Sequence, residues 1–173
     1  MKIILRVVQV AFGIPWLVFG VQHFMYADFV AGLVPAYLPF RLFLAYFTGT
    51  AMLAAGISLI TNIKAHLAPF WLGVMMLSFI LLIHVPKISG EPSSLMTWTR
   101  ALQDVAIALV AFMLAAELSK DKLASFARYA SYVFAALLVV FGIHQFLDLD
   151  FLVTKTAPYL PLRIFGFMRP EPR

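Results

Sequence analysis

At 173 residues the chain is 63% hydrophobic and 12% charged, against roughly 45–50% and 25% in a soluble domain; this excludes an ordinary soluble domain and implies an integral membrane protein. A net charge of +5 does not make a nucleic-acid surface, because the basic residues stand singly at the ends of apolar runs instead of forming a patch. The absence of cysteine excludes structural disulfides, dithiol relays, iron–sulfur ligation by this chain and covalent haem attachment.

Apolar runs long enough for a hydrocarbon core of about 30 Å fall at Ile3–Phe24, Leu42–Ile60, Leu67–Ile83, Trp98–Leu118 and Phe126–Phe146. They are expected to be helices, since an open strand edge in lipid leaves backbone groups unpaired. Lys2 and Arg6 before the first run also fit the start of a secretory signal, but no small-x-small cleavage site follows. Lys2, Arg6, Lys64, Lys120, Lys122 and Arg128 gather on one side of this arrangement, and Arg41, Lys87 and Arg100 on the other. The positive-inside rule then puts the N-terminus in the cytoplasm.

Between the first two runs, "MYADFVAGLVPAYLPF" is too short and too broken by Asp28, Gly32, Pro35 and Pro39 to cross the membrane. It is expected to lie at the outer interface as a cap over the bundle. Beyond the third run, Pro86–Thr97 carries Gly and Pro turn signals and reads as an outer loop. Ser119–Ser125 is a polar inner linker. Tyr26, Tyr37, Trp98 and Tyr159 fall near span ends, where an interfacial aromatic belt is expected.

The phrase Val18–Phe43 recurs at Val140–Phe165 with Gly, Asp-Phe, Tyr-Leu-Pro and Arg in register. The organisation that follows is a four-helix unit over residues 1–118, a linker over 119–125, and over 126–173 a fifth helix with an interfacial segment, an incomplete repeat of residues 4–43. In the second copy Gln145 replaces the histidine at 23, and His144 falls off the corresponding helix face.

Arg6, Gln9, Gly13, Trp16, Gly20 and His23 recur at intervals of three and four, a stripe that in lipid faces protein. Pro15 is expected to kink this helix. Arg100, Asp104, Ala108, Ala111 and Ala115 make a similar stripe on the fourth span, where Asp104 has the spacing to pair with Arg100. By depth, His23, His84, Arg100, Asp104 and His144 all approach the outer interface, a polar cluster on one side of the bundle; His66 is on the inner side. Ionisable residues within spans are costly and point to function. The competing reading is that the histidines bond loop carbonyls and the Arg100–Asp104 pair only locks a helix. No H-x-x-x-H pair or other close ligand spacing favours a metal or haem b. The many Phe and Met residues accommodate a quinone or another amphipathic ligand without specifying one.

"FGVQHFMYADFVAGLVPAYLPFRLFLAYFTGTAMLAAGISLI", then "LLIHVPKI" and "WTRALQD", resembles the DoxX-like family of small bacterial membrane proteins over nearly all of the first four spans. The resemblance implies a four-helix membrane bundle, and its pattern falls on Gly20, His23, Phe24, Pro35, Ala36, Pro39, Gly49 and Gly56. The second copy departs from it at Gln145 and at Ala157-Pro158. Some members are associated with thiosulfate:quinone oxidoreductase or membrane redox complexes. The resemblance therefore implies an accessory or quinone-proximal component, with no self-contained catalytic motif in the chain. A non-enzymatic structural or ligand-binding membrane protein is the alternative. The partners in view are the bilayer, a membrane redox protein and, as an open alternative, a second copy of the chain.

Overall fold

The computed structural model describes residues 2–119 and 124–147, with side chains over 3–119 and 127–143. Every element among them is helical: α1 (Lys2–Met25), α2 (Ala27–Leu33), α3 (Arg41–Thr61), α4 (Leu67–Phe79), a π-helical turn (Ile80–His84), α5 (Val85–Gly90), α6 (Leu95–Ser119) and α7 (Ala124–Leu147). Four helical stretches are long and apolar enough to cross a membrane: Ile3–Met25, Arg41–Thr61, Leu67–Gly90 and Leu95–Ser119. This is a multi-pass helical membrane protein. The expected fifth span corresponds to α7, whose apolar stretch Ala127–Ile143 is shorter. The second copy of the interfacial phrase, from Asp148 onward, lies outside the described residues. The chain divides into two units, Met1–Phe134 and Ala135–Arg173, with the boundary inside α7.

Two antiparallel helix pairs, α1 with α3 and α4 with α6, make the first unit, and α3 against α4 joins them. In lipid there is no hydrophobic force between helices, so close backbone approach through small residues carries the association. The α1–α3 pair illustrates this at two crossings. A Cβ at Gly56 would lie 2.7 Å from Leu17 Cδ2 and 3.0 Å from the Gly13 carbonyl; at Gly20 it would lie 2.7 Å from Leu53 Cγ and 3.0 Å from the Gly49 carbonyl. Gly13 thus meets Gly56 and Gly20 meets Gly49, the order reversing as antiparallel helices require. Between α4 and α6, Gly73 lies beneath the Phe112 ring, with its missing Cβ 2.7 Å from Phe112 Cζ.

The expected stripe on α1 is the buried one. Gln9, Gly13, Trp16 and Gly20 are buried, whereas Val7, Val8, Ile14 and Val18 are exposed. Trp16 joins Met52, Leu59, Leu72, Met76, Ala111 and Leu114 in the core. At the end of the bundle bearing the N-terminus, the stripe satisfies the C-terminus of α3. Arg6 donates to the Leu59 carbonyl at 2.9 Å and also to the Ile60 carbonyl, and Gln9 donates to Leu59 at 2.7 Å and to Asn62 Oδ1 at 3.0 Å. The last carbonyls of a helix have no partner within it, and a guanidinium also suits the negative end of its dipole. Asn62 ends the helix in the left-handed region, φ 63°, a conformation asparagine tolerates.

Candidate functional site

The third span departs from expectation. Pro86 and Gly90 read as turn signals after Ile83, but the helix continues to Gly90 and the expected loop over Pro86–Thr97 narrows to the turn before Leu95. Its continuation passes through a π-helical turn, in which Val85 N–H donates to the Ile80 carbonyl. Pro86 then opens α5 at a position where a missing N–H is tolerated. In a regular α-helix, residue 86 would donate to Leu82, four residues back; proline has no hydrogen to give. Tyr37 Oη donates to the Leu82 carbonyl instead.

That bond ties down the segment between α1 and α3. The segment forms α2 and a non-helical strap from Val34 to Phe40, the latter in the left-handed region at φ 55° where the chain turns into α3. Pro35, Ala36 and Pro39 belong to this strap. Tyr37→Phe is expected to remove about 1 kcal/mol of strap stability. Hydrogen exchange should detect this as faster exchange of the backbone amides at Ala36, Leu38 and Phe40, with the buried helices unchanged.

Beneath the strap lies a cavity of about 690 Å³, within the size range of small-ligand sites. Val30, Leu33, Val34 and Leu38 line it from α2 and the strap; Ala45, Phe47 and Thr48 from α3; Met75, Ser78 and Phe79 from α4. The expected interfacial cap is thus part of the cavity wall.

Four of the five residues expected in the polar cluster line this cavity: His23, His84, Arg100 and Asp104. The fifth, His144, has its side chain outside the described residues. His66 is exposed at the start of α4, toward the other end of the bundle. The pairing expected for Asp104 is corrected. Its Oδ2 shares a 2.9 Å hydrogen bond with His84 Nε2, and both side chains are largely covered, at 14% and 22% exposure. Arg100 is exposed and, among the described residues, makes no ion pair with Asp104. The imidazole wins because the π-helical turn carries it to α6 across the α4–α6 interface, while the long guanidinium side chain gains more from solvation at the rim.

His23 Nδ1 donates to the Phe19 carbonyl at 2.7 Å, a bond within α1 and not to the loop carbonyl that the structural reading expected. Its Cβ rests against Gly49, and Phe24 packs on Tyr46 with ring centroids 5.4 Å apart. Gly20, Gly49 and Gly56 serve the helix crossing and are not cavity walls.

The sequence reading missed Thr48, Ser78, Lys87, Glu91 and Thr97 as lining residues. Thr48 and Ser78 are isolated hydroxyls in apolar spans; their signal was position beside the small-residue faces. Lys87 and Glu91 were assigned to a loop, which hid Lys87 inside α5 and Glu91 at its C-terminal cap. Among the described residues, no group of three or more His, Asp or Glu is arranged to hold a metal ion. The arrangement can bind a molecule with an apolar body and a small polar head that meets His84 and Asp104. No family model, curated protein or solved structure matches the chain.

Proposed function

We propose that the protein is a DoxX-like component of the bacterial cytoplasmic membrane, with its N-terminus in the cytoplasm, and that it holds a quinone-type amphipathic ligand for a membrane redox system. The observation carrying this reading is a half-buried His84–Asp104 pair set in a mostly apolar cavity of about 690 Å³. Apolar walls with a few convergent polar groups are the general form of a small-molecule site. A paired carboxylate within a span is maintained against its desolvation cost, which favours a functional role. The role is accessory, because electron transfer requires a redox centre that a partner protein would contribute. In this topology α7 is a fifth span that begins a second copy of the unit.

The test is extraction of isoprenoid quinone from protein purified out of its native membrane, together with titration by a short-chain benzoquinone. Bound quinone or a copurifying redox partner is expected, with occupancy falling when His23→Ala and Asp104→Ala are combined. Neither quinone nor partner, with unchanged respiration in the double variant, would sink the proposal.

One observation favours a structural reading instead: among the described residues no buried side-chain nitrogen or oxygen lacks a hydrogen-bond partner. On that reading Asp104→Asn lowers thermal stability and leaves ligand binding and electron transfer unchanged.

A further inference from the structure

We infer that the cavity selects the hydroxyl-bearing, reduced form of a quinone-type headgroup over the oxidised dione, an inference that rests on the ligand class proposed above. The argument is a count of which hydrogen-bonding roles the half-covered lining leaves open. Asp104 engages His84 through Oδ2, and in the carboxylate form of that pair Oδ1 is an acceptor. Oδ1 has no other protein partner among the described residues, and no buried polar atom is left unsatisfied, so Oδ1 is not sealed inside the protein. The same holds for His84 Nδ1, which is an acceptor whenever the neutral ring donates through Nε2.

His23 adds a third acceptor from a different helix. Because its Nδ1 donates to the Phe19 carbonyl, the neutral ring carries its lone pair on Nε2. Ser78 gives its hydroxyl hydrogen to the Met75 carbonyl, which leaves it an acceptor as well. Against these acceptors the lining sets two exposed cations, Lys87 and Arg100, and the hydroxyls of Thr48 and Ser94, which accept as readily as they donate and so favour neither form. A dione has only acceptors and would set carbonyl oxygens against carboxylate and imidazole lone pairs, whereas a quinol supplies the hydrogens that these atoms lack. Leaving partly buried polar groups unpaired is what discriminates strongly between ligands of equal shape.

The experiment titrates the full chain in lipid nanodiscs, without oxygen, with three probes. They are a short-alkyl benzoquinol, the matching benzoquinone, and the dimethyl ether of the quinol, which keeps the ring and removes both donors. The quinol is expected to bind at least about tenfold tighter than either of the others, the size of a hydrogen bond to a charged group. In Asp104→Asn, whose amide can itself donate, this ratio should shrink toward one; the wild-type comparison stands even if that variant folds poorly. Equal or tighter binding of the benzoquinone or the ether overturns the preference and leaves the ligand class standing. No binding by any probe overturns both.

Discussion

Gly49→Leu is expected to destabilise the protein by about 3 kcal/mol, the upper range for forcing volume into a well-packed interface. A Cβ at this position would lie 2.7 Å from His23 Cβ and 3.2 Å from Phe24 Cε2. The first contact is decisive. A flexible side-chain tip could swing aside, but a Cβ is fixed to its backbone, so α1 must move away from α3. That movement also shifts His23, and the loss of stability should therefore be accompanied by weaker ligand binding. Gly32→Ala is the control: nothing lies within 4 Å of its added Cβ, and a helical Gly→Ala change should be neutral or stabilising by up to about 1 kcal/mol. Reversible unfolding in mixed micelles measures both.

The second large effect is expected from the His84–Asp104 pair. Asp104→Ala and His84→Ala should each cost about 2 kcal/mol, and the double variant should cost well under their sum, because each single change strands the other's polar group. Arg100→Gln should stay within about 0.5 kcal/mol of wild type, as exposed charges usually do. Thermal or denaturant unfolding of the four proteins of the cycle, plus Arg100→Gln alone and combined with Asp104→Ala, gives both couplings. Strong coupling between Arg100 and Asp104 and none with His84 would refute the observed pairing.

The membrane-crossing helices were legible in the sequence because length and apolarity suffice for them. Gln9, Gly13, Trp16 and Gly20 were legible as a buried face because helical period alone puts them on one side. Clustering of His23, His84, Arg100 and Asp104 could be read from depth, since each falls near the same end of its span. Their pairing could not. The spacing of Arg100 and Asp104 is a local fact, whereas His84 reaches Asp104 only through packing of α4 on α6. The π-helical turn was equally hidden, because proline and glycine after an apolar run ordinarily signal an end. Nothing local tells Pro86 as a terminator from Pro86 as the second residue of α5 in a continuing helix; the turn before it and the contact from Tyr37 depend on tertiary structure.

Pro86 has a consequence for how the cavity could change over evolution. The strap is fastened to the Leu82 carbonyl, which lies in the π-helical turn just ahead of a residue that has no amide hydrogen. Any other residue at 86 would restore an amide hydrogen inside the widened turn, free to compete with Tyr37 for one of the carbonyls there. Closure of the cavity is thus heritable through a position that never touches a ligand, and one codon could loosen the strap while leaving every lining side chain intact.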